Sequence, residues 1–148
     1  LTKENICKEI EKTISYLRAR LSNKISLEFE HPKDEIIVYL NNQLFSWSLE
    51  NIIKNSIDSI KDSGKVKISI IEENEYLKIY ISDNGIGIKQ SLKNKIFNPG
   101  VTTKERGWGL GLSLSKRIIE EYHKGEIKLI ESIVGQGTKM LIKLKAVK

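Results

Sequence analysis

Residues 76–88 read YLKIYISDNGIGI and combine a regular strand pattern with an unusual end. Apolar side chains recur at every second position, namely Leu77, Ile79 and Ile81. This alternation predicts a half-buried strand, and it turns Asp83 toward the same inner side as the apolar row. A buried carboxylate is costly unless donors contact it. Because Asp83-Asn84-Gly85 is also a common way to begin a turn, the alternation alone leaves both interpretations open.

The last strand of the chain repeats this arrangement. Its inner row is predicted to hold Met140, Ile142 and Leu144. Thr138 begins the row directly after Gly135-x-Gly137, so Asp83 and Thr138 both end apolar rows beside glycines. A planar heterocycle with an exocyclic amine would satisfy both polar groups, although Thr138 alone could be an ordinary strand residue.

A long helix is predicted from about residue 43 to residue 61, before Gly64. Its apolar stripe comprises Leu49, Ile52, Ile53, Ser56 and Ile60. A second face carries Asn51, Asn55, Asp58 and Asp62. Periodicity favours a solvated face there. Asparagine is a mediocre helix former, however, so two in register also suit amide oxygens presented to a hard cation or to phosphate.

The sequence GWGLGL at 107–112 leads directly into a helix predicted at 110–123. Glycines allow a ligand to approach the backbone, and the first N–H groups of a helix suit phosphate. The segment is neither GxxxxGK[ST] nor GxGxxG after a strand, so alone it is weak support for a phosphate site.

The remaining elements place these motifs in an α+β architecture. A further helix is predicted at 4–21, and the segment 84–109 is predicted to be a long loop. Strands are predicted at 25–30, 36–40, 65–71, 76–83, 126–132 and 138–145. This order suits a two-layer sandwich, in which helices cover one face of a mixed, mainly antiparallel sheet.

Composition narrows the class of protein. The chain has 148 residues, which fits one domain spanning 1–148. Its net charge is +6, but the lysines are dispersed, so we expect no nucleic-acid partner. The single Cys7 cannot form an internal disulfide, and no apolar run approaches the ~20 residues of a membrane span. Since the first residue is Leu1, we expect a fragment of a longer protein.

Five motifs occur in a fixed order along the chain: Asn51-x-x-x-Asn55, DNGIG at 83–87, NPGVTTK at 98–104, GWGLGL at 107–112 and GQGT at 135–138. Together they resemble the ATP-binding catalytic domain of sensor histidine kinases. That family belongs to the superfamily of DNA gyrase, the MutL repair proteins and the Hsp90-type chaperones. The run FNPGVTTKERGWGLGLSLSKRII at 97–119 looks specifically like a histidine kinase.

The resemblance implies a Bergerat-type fold that binds ATP with Mg²⁺. It implies that Asp83 accepts a hydrogen bond from the adenine amino group and that Thr138 assists through water. Asn55 would hold the metal, with Asn51 beside it as the second catalytic asparagine. The base would lie against Gly85, Gly87 and Ile88.

A lid is implied at about 89–106, with Phe97 as its hydrophobic latch. The lid residues expected to reach the phosphates are Thr102, Thr103, Lys104 and Arg106. The backbone expected to cradle them belongs to Gly107, Gly109, Leu110, Gly111 and Leu112.

Two positions depart from the family pattern. Ser56 stands where alanine is usual, and Asp58 where many members have lysine.

An ATP-hydrolysing switch of the gyrase or chaperone kind would carry a glutamate at the position of Asn51. Glu50 lies about 100° away round the helix, so transfer to a protein acceptor is favoured. An anti-sigma-type serine kinase and a degenerate nucleotide-binding scaffold are two further rival functions.

The acceptor is expected outside the chain. His31 and His123 are predicted to be structural, His123 with a partial charge that suits a helix C-terminus. We therefore expect the phosphoacceptor histidine on an upstream helical dimerisation domain, with a response regulator as indirect partner. The full protein is expected to be a homodimer at the cytoplasmic end of a membrane-anchored sensor, and this fragment a monomer.

Overall fold

The computed structural model describes residues 1–99 and 111–147. The helices are α1 (Ile6–Arg18), α2 (Asn42–Asp58) and α3 (Gly111–Arg117), the last continuing as a π-helical turn at Ile118–Tyr122, and a 3₁₀ helix spans Gln90–Lys95. The strands are β1 (Thr2–Asn5), β2 (Ile25–Glu30), β3 (Ile37–Leu40), β4 (Gly64–Glu73), β5 (Tyr76–Asp83), β6 (Glu126–Ile133) and β7 (Gly137–Lys145).

The main sheet has five strands in the order β2-β4-β5-β7-β6. Only the β2–β4 pair is parallel; the other three pairs are antiparallel. Strands β1 and β3 form a separate two-stranded sheet. The predicted α+β class, a mainly antiparallel sheet with helices, is confirmed.

The helices bury their apolar stripes against the inner face of this sheet. The fully buried residues of α2 and β5 include Leu49, Ile52, Ile53, Leu77, Ile79 and Ile81. The predicted stripes and inner rows are therefore confirmed. Each such side chain contributes about 1.5–3 kcal/mol through burial, so this packing holds α2 firmly over β5.

The first residues depart from the predicted helix at 4–21. Residues 2–5 form β1, and α1 begins only at Ile6 because Asn5 caps it. The Asn5 side chain accepts hydrogen bonds from the backbone N–H groups of Cys7 and Lys8. An asparagine cap satisfies donors that a helix start otherwise leaves free, and it fixes where the helix begins.

Strand β6 contains a β-bulge near its end. The pairing with β7 shifts between Leu129 and Glu131, after which Ser132 lies opposite Thr138. Because one extra residue reverses the facing of every later side chain, Ser132 points inward and is only 1% exposed.

His123 ties the end of the π-helical turn to the start of α2. Its Nε2 accepts from the Asn41 backbone N–H at 3.1 Å, and its Nδ1 lies 2.9 Å from the Ile118 carbonyl, to which it donates. Burial lowers the pKa of His123, although the hydrogen bond to Ile118 opposes that shift. These contacts suit the structural role predicted for His123, and the lowered pKa disfavours the partial charge that the sequence predicts at this helix end.

Candidate functional site

Asp83 and Thr138 meet at the end of β5 and the start of β7, where they are direct cross-strand partners. Side chains opposed in this way have Cβ atoms about 4.5–5.5 Å apart. Gly137 makes the pairing possible, because a Cβ there would overlap the Asp83 carbonyl oxygen. The two polar groups predicted separately thus form one feature, beside a shallow cavity of about 180 Å³ lined by β5, β7 and their neighbours.

The Asp83 carboxylate is held by donors of the chain itself. Its Oδ1 accepts from the Gly85 backbone N–H at 2.9 Å and lies 3.3 Å from the Ser59 hydroxyl. That hydroxyl also lies 2.7 Å from the Ser56 carbonyl, so its single hydrogen serves one acceptor at a time. Asp83 is therefore oriented chiefly by the turn that follows it.

The DNGIG loop bridges two elements. The Ile86 N–H donates to the Ser59 carbonyl at 3.0 Å, and the Ile86 carbonyl accepts from the Gly135 N–H at 2.8 Å. A Cβ on Gly85 would overlap Ser59, and one on Gly87 would overlap the Ile133 carbonyl. Close contact with neighbouring backbone thus accounts for both glycines; that they also leave room for a base stays a prediction.

Asn51 and Asn55 lie one turn apart on the same face of α2, and both are partly buried. The Asn51 Nδ2 atom is buried and has no hydrogen-bond partner among residues 1–99 and 111–147. A Cβ on Gly111 would lie 3.7 Å from the Asn51 Oδ1 atom, so this asparagine faces the start of α3. The asparagine helix and the end of the GWGLGL motif are therefore neighbours.

The described part of the predicted lid packs on the core. Ile96 is buried, and Phe97 and Leu112 are partly buried against the core. The Lys116 ammonium lies 5.2 Å from the centre of the Phe97 ring. This packing suits the latch expected of Phe97, and the latch itself stays a prediction. Of the predicted site residues, Thr102, Thr103, Lys104, Arg106, Gly107, Gly109 and Leu110 lie outside the described residues.

Ser132 also belongs to this region, although the alternation of β6 does not predict an inward side chain there. Its hydroxyl accepts from the Ile88 N–H at 2.8 Å and lies 2.8 Å from the Thr138 hydroxyl. It therefore connects the end of the DNGIG loop with Thr138. The only sequence signal for it is a serine three residues before Gly135, and the bulge hides that signal from a simple alternation.

Residues 43–148 match the family described as "Histidine kinase-, DNA gyrase B-, and HSP90-like ATPase". The chain belongs to this ATPase family. Nitrogen regulation protein NtrY of Azorhizobium caulinodans is 38% identical over 111 residues, which are 70% of this chain and 14% of NtrY. Sporulation kinase A of Bacillus subtilis is 35% identical over 116 residues, which are 78% of this chain and 19% of that kinase.

The histidine kinase-type ATPase fold is also that of solved structures. The nucleotide-free catalytic domain of histidine kinase ThkA superposes with a TM-score of 0.86 at 28% identity, covering 97% of this chain and 94% of that one. The resemblance to sensor histidine kinases is thus confirmed. The chain spans less than a fifth of the curated relatives named above, with 14% and 19% of their lengths.

Proposed function

We propose that this chain binds ATP with Mg²⁺ and transfers the γ-phosphoryl group to a histidine on a separate helical domain of the same protein. The observation that supports this most is the joint placement of Asp83 opposite Thr138 and of Asn51 facing Gly111. The first pair suits a purine, and the second suits a metal-bound phosphate chain. Both arise from the five ordered motifs of the sequence.

Base recognition follows from the charge of Asp83. A carboxylate accepts hydrogen bonds and donates none, so it favours the exocyclic amine of adenine over the exocyclic oxygen of guanine. The Gly85 N–H already fixes the Oδ1 atom, which orients the carboxylate before the base arrives. Thr138 then offers a second polar group beside the ring.

Phosphate handling is assigned to α2 and to the start of α3. The amide oxygens of Asn51 and Asn55 suit a hard cation such as Mg²⁺, and the Asn51 amide nitrogen, which has no partner within the described part of the chain, can donate to a phosphate oxygen. A bound Mg²⁺ would supply charge neutralisation between the phosphate groups. The chain's own contribution is positioning, with backbone N–H groups near Gly111 directed at the phosphates.

Water activation is disfavoured, which argues against an ATP-hydrolysing switch. Asn51 occupies the position where that branch of the family would carry its glutamate base. The neighbouring Glu50 carboxylate pairs with the Lys54 ammonium at 2.8 Å and is thereby directed along the helix surface. Because the position of Asn51 carries no carboxylate to activate water, transfer of the γ-phosphoryl to a protein acceptor is favoured.

The partner is the upstream helical domain that carries the acceptor histidine, and a response regulator receives the phosphoryl group from it. The full protein would be a homodimer at the cytoplasmic side of a membrane. Within the described residues, every helix is too short or too polar to span a bilayer.

Calorimetric titration of the chain with ATP, with and without Mg²⁺, tests this proposal. We expect binding that is tighter with Mg²⁺ and a clear preference for ATP over GTP. Adding a separately produced upstream domain should then yield acid-labile phosphohistidine on that domain. A chain that takes up no nucleotide in the presence of Mg²⁺ would refute the proposal.

A further inference from the structure

Three residues form a polar row across adjacent strands at the base site. Asp83 on β5 is opposite Thr138 on β7, and Thr138 is opposite Ser132 on β6. Toward the other edge of the sheet the same row continues as Val66 and Leu27, which are buried and apolar. The row therefore changes from apolar to polar at the strand where the adenine is proposed to bind.

The bulge in β6 selects which residue completes this row. The inward side chains of β6 are Ile127, which is buried, and Leu129, which is partly buried. Simple alternation from Leu129 would turn Glu131 inward. The extra residue instead leaves Glu131 exposed and brings Ser132 opposite Thr138. A neutral hydroxyl thus stands next to Thr138, where simple alternation would have placed a second carboxylate.

The Ser132 hydroxyl has three polar neighbours but only one hydrogen to donate. One lone pair accepts from the Ile88 N–H at 2.8 Å. Its hydrogen can go to the Thr138 hydroxyl at 2.8 Å or to the Gly137 carbonyl at 3.3 Å. Hydroxyl donors prefer distances of about 2.7–2.8 Å, so Thr138 is the better acceptor. When Ser132 donates to it, the Thr138 hydrogen is left for a ligand.

We infer that Ser132 is a positioning residue for base recognition: it holds the Thr138 hydroxyl in place and leaves it as a hydrogen-bond donor toward ring nitrogen N1 of adenine. This inference rests on the proposed function. Adenine N1 is an acceptor, whereas guanine N1 carries a hydrogen. Asp83, which only accepts, matches the adenine amine and opposes the exocyclic oxygen of guanine, and the Thr138 hydrogen, passed on through a water, meets the N1 acceptor of adenine.

Calorimetry with two nucleotides tests the role of Ser132 in the presence of Mg²⁺. The nucleotides are ATP and 1-deaza-ATP, in which a C–H group replaces N1. We expect Ser132→Ala to weaken ATP binding by about fivefold, the size of one net hydrogen bond. We expect the affinity for 1-deaza-ATP to be unchanged, because that ligand has no acceptor for Thr138.

Two further variants separate positioning from general packing. Thr138→Val should weaken ATP binding, and adding Ser132→Ala to it should have no further effect, because Ser132 acts through the Thr138 hydroxyl. Ser48→Ala is the matched control: Ser48 is also fully buried, and within the described residues its hydroxyl donates to the Leu44 carbonyl of α2. It should leave both affinities as they are.

The outcomes distinguish the inference from the proposed function. Equal losses for ATP and 1-deaza-ATP in Ser132→Ala, or no loss for either, would overturn the inference while ATP binding by the unchanged chain still supports the function. Additive losses from Ser132→Ala and Thr138→Val would also overturn it. An unchanged chain that binds neither nucleotide would remove both.

Discussion

Asp83 and Thr138 are direct partners across β5 and β7, so their side chains project from the same face of the sheet. The pairing joins one acceptor-only group and one group that can donate, at the end of two buried apolar rows. The hydrogen-bonding character of this pair is therefore the first property to test.

Asp83→Asn should reduce ATP affinity by at least tenfold and narrow the preference for ATP over GTP. The side-chain oxygen of asparagine can still accept from the Gly85 N–H, so the loop should be kept. Its amide group, however, can turn a donor toward the adenine amine. Titrations with ATP and GTP measure the change, and an unaltered melting temperature shows that the fold is intact. Equal ATP and GTP binding by the unchanged chain would already contradict the role of Asp83.

Asn55→Ala should remove the Mg²⁺-dependent part of ATP affinity. Asn55 supplies the amide oxygen one turn after Asn51 on this face of α2, and alanine has no oxygen to replace it. Alanine is a strong helix former, so α2 should persist. Lys54→Ala is the matched control, since it removes an exposed side chain of the same turn whose described contact is with Glu50. Calorimetry at several Mg²⁺ concentrations measures both variants. Unchanged Mg²⁺ dependence in Asn55→Ala would remove its assigned role.

Gly137→Ala should destabilise the chain by roughly 3 kcal/mol or more, and Gly135→Ala by about 1–2 kcal/mol. Both glycines have positive φ, +132° at Gly137 and +84° at Gly135. A Cβ on Gly137 would overlap the Asp83 carbonyl, whereas a Cβ on Gly135 meets nothing within 4 Å. Urea unfolding of the two variants separates close contact from backbone strain. Equal losses would show that the contact with Asp83 contributes little.

Acid should destabilise the chain through His123. Its pKa is lowered in the folded state mainly by burial, so the unfolded chain binds the proton more readily. Its contribution to stability is complete above the unfolded pKa of about 6.5 and is lost as the pH falls from there toward the lowered folded value. Protonated Nε2 would also face the Asn41 N–H that it now accepts from.

The measurement is the free energy of unfolding between about pH 7.5 and pH 5, a range that spans the ordinary histidine pKa of about 6.5. His123→Gln should lose part of this pH dependence, and His31→Gln is the control for removing the exposed histidine. An identical pH profile in His123→Gln and the unchanged chain would show that His123 does not contribute.

The chain alone should remain unlabelled after incubation with γ-labelled ATP. Both of its histidines have their ring nitrogens engaged: His123 contacts Asn41 and Ile118, and His31 contacts Pro32 and Glu11. Acid-labile phosphate at one equivalent per chain would contradict this expectation. The upstream domain, added in the same assay, serves as the positive control.

Much of this fold is readable from alternation and helical periodicity, because burial imposes both patterns. The inner row of β5 and the stripe of α2 are found where the sequence predicts them. Asp83 and Thr138 could be assigned to row ends, but not to each other, since the sequence does not state which strands pair. Their direct opposition is a product of the β5–β7 register.

Ser132 was missed for a physical reason. A single extra residue between Leu129 and Glu131 reverses the facing of the strand, and no glycine or proline marks the place. The lowered pKa of His123 is likewise not readable from the sequence, because it follows mainly from burial in the fold. β1 was absorbed into the predicted helix because short strands carry little periodic signal.

The spacing between Asn55 and Ser59 limits where the chain can accept an inserted residue. Ser59, which contacts both Asp83 and the DNGIG loop, follows Asn55 by one helical turn, and its N–H donates to the Asn55 carbonyl at 3.1 Å. Asn55, which is proposed to hold the metal, and Ser59, which contacts Asp83 of the proposed base site, are thus about 6 Å apart along the helix axis. One residue inserted between them would rotate the asparagines by about 100° relative to Asp83. Homologous chains should therefore tolerate length changes in the surface turns far more readily than within this single turn of helix.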